Sequence, residues 1–400
     1  MGVTGFSFDA LRRRPDVEAP NLFATDAADR LILETAATAL AGIAEGELVV
    51  IGDHYGALTL GAAALHSARG IRVHQDALSG ERALALNAAD AGLTDAYSSL
   101  PLGAELLSGA RVVLMQLPRS LAALDEIAAL IAEHAAPDVT VYAGGMLKHL
   151  TRAMNEVLGR HFGEVRAGLA RQKARVLTVR RWSSSEARNE RSARPEQGLD
   201  TLAGARYSTS GEAWPAREFH DDIGIWVCAH GGAFAGTKLD IGTRFLLDFL
   251  PQAKPSAASA IDLGCGTGVI AAALAGARPG IRVFATDQSA AAVASARATM
   301  EANGVADRVT VVRDDALASQ ADASAELILL NPPFHVGASV HAGAALRLFD
   351  DAARVLAPGG ELWTVFNTHL AYRKALTRIV GPTREVGRNA KFTVTVSTRA

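Results

Sequence analysis

Short apolar runs rich in branched residues recur along the chain, each closed by small or polar residues and followed by a stretch with helical spacing. In the second half this pattern predicts strands near Ala260–Leu263, Arg282–Thr286, Val309–Val312, Glu326–Leu330 and Glu361–Phe366, with two late strands at Gly381–Val386 and Phe392–Ser397. Helices are expected at Gly268–Ala277, Ser289–Asn303, His341–Val355 and Leu370–Ile379. Strands alternating with helices are the mark of an α/β fold around a mostly parallel sheet. From Trp182 to about Ala213 the apolar rhythm stops and Ser, Arg, Glu and Gly dominate, which reads as an exposed linker. The expected division is therefore residues 1–185, a linker over 186–213, and residues 214–400.

The two halves read as copies of one unit. Leu48-Val49-Val50-Ile51-Gly52-Asp53-His54-Tyr55-Gly56 stands where Ala260-Ile261-Asp262-Leu263-Gly264-Cys265-Gly266-Thr267-Gly268 stands later. Ile71-Arg72-Val73 answers Ile281-Arg282-Val283, and the run ending in Gln116-Leu117-Pro118-Arg119 answers the run ending in Asn331-Pro332-Pro333-Phe334-His335. The copies differ where chemistry would sit: the first keeps two of the loop glycines and has lost the Asn-Pro-Pro-Phe corner. The second half is expected to carry the equipment.

Composition narrows the class without naming it. With 400 residues, 49% of them apolar, the chain can bury two cores. A net charge of −2 announces no global attraction to nucleic acid, although local patches can still hold phosphates. Two cysteines, Cys228 and Cys265, are too few for a disulfide framework or a structural zinc site, so no metal is expected and a reducing cytoplasm fits. The first residues lack the apolar core of a signal peptide, and the longest apolar stretch, Leu48 to Leu65, is broken by Asp53 and His54. No membrane partner is expected, and the working form is expected to be a monomer.

The corner Asn331–His335 closes the buried run Leu327–Leu330. Two prolines fix the turn and remove backbone donors, which leaves a stiff cluster of acceptors beside an aromatic ring. Such a cluster suits a planar amine. Asn331 Oδ1 and the Pro332 carbonyl can accept its two hydrogens, turning the lone pair outward, while Phe334 stacks on the ring that bears it. Upstream, Asp262-Leu-Gly264-Cys265-Gly266-Thr-Gly268 joins a strand to an Ala-rich helix, so the backbone can pass close to a ligand at a helix start. A dinucleotide fingerprint would place its third glycine at Val269, and a pyrophosphate would not welcome Asp262. The loop instead resembles motif I of class I S-adenosylmethionine-dependent methyltransferases. Asp287, ending the next strand, is placed to hold ribose hydroxyls, and Asp315, after the third strand, to accept from the adenine amine. Asp314 reads as a solvated turn residue and Cys265 as a small residue of the cofactor loop.

With these residues the chain resembles the bacterial ribosomal RNA guanine-N2 methyltransferases of the RsmC/RlmG type. The resemblance is strongest at Asp262–Gly268, at Asn331–His335 and in Gly236-Thr-Lys238-Leu-Asp240-Ile-Gly242-Thr-Arg244. It implies two tandem Rossmann-like class I methyltransferase domains with mixed, mostly parallel seven-stranded sheets, the first degenerate. It also implies S-adenosylmethionine as cofactor, Lys238 and Gly242 as cofactor contacts, and Pro333, Phe334 and His335 against the substrate. Ribosomal RNA or a ribosomal subunit is the implied partner, with overall similarity leaning slightly to the small subunit and the first half supporting RNA binding. The basic span Lys148, Arg152, Arg160, Arg166, Arg171, Lys173, Arg175, Arg180 and Arg181 agrees with that, as does the run Arg373 to Lys391. Two other readings stay open: methylation of an adenine N6 or protein glutamine amide, which such corners also serve, and a non-catalytic RNA-binding module that senses S-adenosylmethionine.

Overall fold

The computed structural model describes residues 6–181, 206–207, 213–332 and 338–400. The chain divides into two compact units, Met1–Trp214 and Pro215–Ala400. In the first unit the strands are β1 (Leu48–Ile51), β2 (Ile71–His74), β3 (Tyr97–Ser99), β4 (Val112–Gln116), β5 (Thr140–Met146), β6 (Glu164–Ala167) and β7 (Ala174–Arg180). They form one sheet in the order β3-β2-β1-β4-β5-β7-β6. Every neighbouring pair is parallel except those made by β7, which runs antiparallel to β5 and β6.

Side chains alternate across a strand, and here both faces are covered. Leu48 and Val50 of β1 enter a core with helices α1 (Ala27–Leu40), α2 (Ala57–Leu65) and α3 (Leu78–Ala91). Val49 and Ile51 enter a second core with α4 (Ala104–Leu107), α5 (Leu121–His134) and α6 (Arg152–His161). Burial on both sides explains why the strands read as unbroken apolar runs.

The second unit opens with a hairpin, β8 (Ala216–His220) and β9 (Ile225–Ala229), and then α7 (Ile241–Leu247). Its large sheet holds β10 (Ser259–Leu263), β11 (Arg282–Asp287), β12 (Val309–Arg313), β13 (Ala325–Leu330), β14 (Leu356–Asn367), β15 (Thr383–Arg388) and β16 (Phe392–Thr398). The order β12-β11-β10-β13-β14-β16-β15 repeats that of the first unit strand for strand, with β16 the antiparallel member. Helices α8 (Val269–Ala277), α9 (Ala290–Ala302), α10 (Ala338–Val355) and α11 (Arg373–Ile379) complete it. All seven expected strands and four expected helices of this half are present, their ends displaced by a few residues, and β14 by five at its start.

The hairpin was not foreseen. Ile225–Ala229 is apolar throughout but short, its partner Ala216–His220 is mostly polar, and the pair is held by docking on α9. Asn303 accepts from Trp226 N (3.0 Å) and donates to Trp226 O (2.7 Å), and Thr299 Oγ1 accepts from Cys228 N (3.0 Å). Residues 186–205 and 208–212 of the expected linker lie outside the described residues. No described helix is long and apolar enough to cross a membrane.

Candidate active site

Because β12, β11, β10 and β13 lie side by side, the segments leaving their carboxyl ends converge on one edge of the sheet, where ligands bind in open α/β folds. The first is the loop Gly264–Gly268 between β10 and α8. Its Gly264 and Cys265 amides both donate to Thr286 O, at 2.8 and 2.9 Å. A Cβ at Gly264 or Gly266 would meet nothing within 4 Å, so the loop borders open space. Gly268 serves packing instead. Its φ of +80° suits glycine, and a Cβ there would stand 2.7 Å from Met300 Cε and 3.0 Å from Ala296 Cβ on α9.

Asp262 is fully buried at the end of β10. Its Oδ2 accepts from Ala271 N in the first turn of α8 (3.0 Å), while its buried Oδ1 has no partner among the described residues. Burial, opposed by the Ala271 bond and reinforced by nearby Asp287, raises its pKa from 3.8 to about 7. Cys265 is likewise buried, and burial with the charges of Asp262 and Asp287 holds its thiol well above the ordinary range. It is no nucleophile.

Asp287 ends β11 with its carboxylate in the loop: Oδ2 accepts from Gly266 N (3.0 Å) and Oδ1 from Ser289 N (2.9 Å). Asp314 departs from the sequence reading. It is buried, not solvated, and organises the turn after β12 by accepting from Asp315 N and Ser319 N, both at 2.8 Å. Asp315 is partly buried in the same turn, where Oδ1 accepts from Arg347 Nη2 of α10 (2.9 Å).

Asn331 follows β13, and its carboxamide is held at one end only. Nδ2 donates to Asp240 Oδ2 and to Thr243 Oγ1, each at 2.9 Å. Oδ1 is buried with no partner among the described residues. A buried acceptor without a donor is costly, about 1–3 kcal/mol, and such an atom marks a place where a ligand's N–H belongs. Asp240 is also the N-cap of α7, accepting from Thr243 N (2.9 Å) through the same Oδ2. Gly242 is buried between them. A Cβ there would lie 3.1 Å from Asp240 Oδ2 and 3.2 Å from Phe392 Cε1, so glycine is what lets α7 reach Asn331. Lys238 is exposed just before this cap, and Pro332 is buried. Pro333, Phe334 and His335 lie outside the described residues.

The part played by Asp240 and Thr243 was not read from the sequence, although both stand in a segment that drew attention for another reason. The available signal was Asp240 three residues before Thr243 at the start of an apolar helix, the spacing of an N-cap.

The first unit keeps the frame of this site and alters its contents. His54 takes the position of Gly266 and still has a positive φ, 56° against 53°. Val50 stands where Asp262 would be, yet the first turn of α2 is still capped by a buried carboxylate, because Asp53 accepts from Leu58 N (2.7 Å) and Thr59 N (2.8 Å). Gln116, the counterpart of Asn331, donates through Nε2 to Asp29 Oδ1 (2.5 Å), and Asp29 stands three residues into α1 behind the cap Asp26, as Thr243 stands behind Asp240. Burial first, then the Asp26 charge, raises the Asp29 pKa from 3.8 to about 8.

The folded state therefore holds a proton there that the unfolded chain releases. The resulting stabilisation is complete below pH 3.8 and is lost as pH rises through about 8. Replacing Asp29 by Thr, the residue of the second copy, is expected to shrink the loss of stability between pH 5 and pH 9, measured by urea unfolding. Equal losses in variant and wild type would rule the explanation out.

Comparison with known proteins agrees with this geometry. The family described as Methyltransferase small domain matches residues 224–396, and the RLMG N-terminal domain family matches residues 4–183. The chain is 34% identical to a "Ribosomal RNA large subunit methyltransferase G" of Streptomyces coelicolor, covering 96% of each chain. It is 34% identical to the protein of that name from Pseudomonas aeruginosa over 98% of each. Among solved structures it resembles the 16S rRNA N2 methyltransferase (RsmC) of T. thermophilus, solved in complex with AdoMet and guanosine. There the TM-score is 0.67 at 20% identity, over 96% of this chain and 97% of that one. At that identity the likeness speaks for the fold: two tandem α/β units with mixed, mostly parallel seven-stranded sheets.

Proposed function

The chain belongs to the family of the ribosomal RNA large subunit methyltransferase G proteins, and from that membership we propose that it transfers a methyl group from S-adenosylmethionine to the exocyclic N2 of a guanine in ribosomal RNA. The observation that carries this reading is Asn331, whose amide nitrogen is tied to Asp240 and Thr243 while its buried oxygen waits for a donor. Relatives of more than 30% identity along the whole chain carry the large-subunit name, which moves the balance from small-subunit to large-subunit RNA.

The residues present fit the cofactor. Open space at Gly264 and Gly266 admits a ligand against the loop, and Asp262, whose Oδ1 has no partner among the described residues, stands on the strand that leads into it. Asp287 would hold the ribose hydroxyls, Asp315 the adenine amine, and Cys265, Lys238 and Gly242 would complete the walls, with Gly268 packing the loop against α9. When bound, S-adenosylmethionine supplies the electrophilic methyl group.

The protein's part is to make a poor nucleophile reactive. A guanine N2 spreads its lone pair into the ring. With its hydrogens accepted by Asn331 Oδ1 and the Pro332 carbonyl, the lone pair turns outward and the positive charge that develops on nitrogen is stabilised. No strong general base is needed. Pro333, Phe334 and His335 would contact the base, with Phe334 stacking on it for about 1–3 kcal/mol. A base paired in a helix would first be flipped out, at a cost of a few kcal/mol. The first unit, residues 1–185, supports RNA binding, residues 186–213 link, and residues 214–400 catalyse.

The test offers the protein labelled S-adenosylmethionine with naked ribosomal RNA, small subunits, large subunits and a release factor in turn, then digests and identifies the product. N2-methylguanosine in large-subunit RNA is expected. Label found only in N6-methyladenosine or in protein would overturn the assignment.

A further inference from the structure

Asn367 is the last residue of β14 and stands at the carboxyl edge of the sheet beside the Asn331 corner. The parallel register pairs Leu330 of β13 with Thr364 of β14, so Asn331 comes level with Val365, and Asn367 lies two residues further along the neighbouring strand. Side chains alternate across a sheet, and Leu327, Leu329, Trp363 and Val365 all enter the core that α7 closes with Leu246 and Leu247. Asn331 and Asn367 therefore face the same side, the side of α7. On β16 the partner of Asn367 is Phe392, whose Cε1 is the atom that would stand 3.2 Å from a Cβ at Gly242.

The fold makes no use of this carboxamide. Asn367 is half-buried and precedes a short turn, Thr368–Leu370, where asparagine is a favoured cap, yet it makes no capping bond and no other side-chain hydrogen bond among the described residues. The frame around it is fixed without its help. Thr368 N donates to Lys391 O (2.9 Å), Thr368 Oγ1 lies 3.0 Å from Thr393 Oγ1, and the buried Tyr372 ring packs 5.4 Å from Phe349 and 5.5 Å from Phe366. The first unit builds the same turn, Leu147 N donating to Lys173 O (2.7 Å), but the residue that ends β5 is Met146, which packs on the core shared with α1. The copy that lost the Asn-Pro-Pro-Phe corner has exchanged this carboxamide for an apolar side chain as well.

We propose that Asn367 reads the Watson–Crick edge of the guanine whose N2 lies at Asn331. Next to its amine, guanine carries N1–H, a donor, and then O6, an acceptor. A carboxamide offers an acceptor and donors side by side and matches both. An adenine with its N6 in the same corner presents N1, an acceptor, followed by C2–H, so only one of the two bonds can form. One asparagine then holds the amine and the other checks the ring that bears it. The proposal rests on the guanine-N2 reading and adds the residue that enforces it.

The test uses a synthetic ribosomal RNA fragment spanning the guanine that wild type methylates, made with either guanine or 2-aminopurine at that position. 2-Aminopurine keeps the N2 amine and lacks both N1–H and O6. Full-length wild type is compared with Asn367→Ala and with Asn367→Met, which installs the side chain of the first copy and keeps the volume filled. On guanine RNA both variants are expected to lose about 30-fold in kcat/KM, the size of two neutral hydrogen bonds. On 2-aminopurine RNA, where those bonds are already absent, both are expected to stay within about threefold of wild type. Where turnover of the 2-aminopurine RNA falls below detection, its Ki as a competitor of guanine RNA is read instead, with the same expectation. Unchanged kcat/KM on guanine RNA, or an equal loss on both RNAs, would sink the role of Asn367 alone. Wild type that forms no N2-methylguanosine in any ribosomal RNA would sink the functional reading itself.

Discussion

Replacing Asn331 by alanine is expected to lower kcat for methyl transfer by about 10²–10³-fold while cofactor affinity stays within about threefold. The reason lies in how little else the side chain does. Its Nδ2 is engaged with Asp240 and Thr243, and its Oδ1 has no partner among the described residues. The atom that is idle in the free protein is the one the transition state would use, so its removal affects the barrier more than the ground state. Asn331→Asp should be no better. It places a carboxylate oxygen where Nδ2 was, 2.9 Å from Asp240 Oδ2, and the two oxygens repel unless one is protonated. Single-turnover methylation alongside calorimetric titration with S-adenosylhomocysteine separates the two effects. A kcat within tenfold of wild type, with N2-methylguanosine still formed, would mean that Asn331 is not the acceptor.

The sheet of the second unit was legible because its strands are buried on both faces. Leu327 to Leu330 is apolar without a break, one pair of side chains going to each core, and such runs bounded by turns have few other readings. The duplication was legible for the same reason. What the sequence hid were interactions between residues far apart. Asp262 reads as a cofactor ligand from its place before the glycines, but one of its oxygens caps α8. The first copy shows that this capping is needed with or without a cofactor motif, since Asp53 performs it there from a different position. Asp314 and Asp315 stand side by side in the sequence, and only the fold decides that the first is buried in the turn's hydrogen bonds and the second partly exposed beside Arg347. The basic span from Lys148 to Arg181 reads as one patch, yet Arg171 is paired with Glu34, 137 residues away in sequence. Charge in sequence says nothing of pairing in space.

Asp240 offers the second large effect, and its design separates holding a helix from holding an amide. Its Oδ2 accepts both from Thr243 N, capping α7, and from Asn331 Nδ2, at 2.9 Å each. Asp240→Asn presents one carbonyl oxygen at that position, and asparagine is as good an N-cap as aspartate, so activity is expected within about threefold of wild type. Asp240→Ser keeps a cap, because serine is also favoured there, but its shorter side chain falls away from Asn331. Stability should then stay within about 1 kcal/mol while kcat drops about 30-fold, the freed amide sampling orientations that point Nδ2 at the substrate amine. Asp240→Ala should lose both, with kcat falling as in the serine variant and about 1 kcal/mol of stability lost with the cap. Thr243→Val removes only the second acceptor and should cost less than Asp240→Ser. If the serine variant keeps full kcat, Asp240 serves the helix alone. If the asparagine variant is as slow as the serine one, the negative charge rather than the hydrogen bond is what Asn331 needs, and the positioning argument fails.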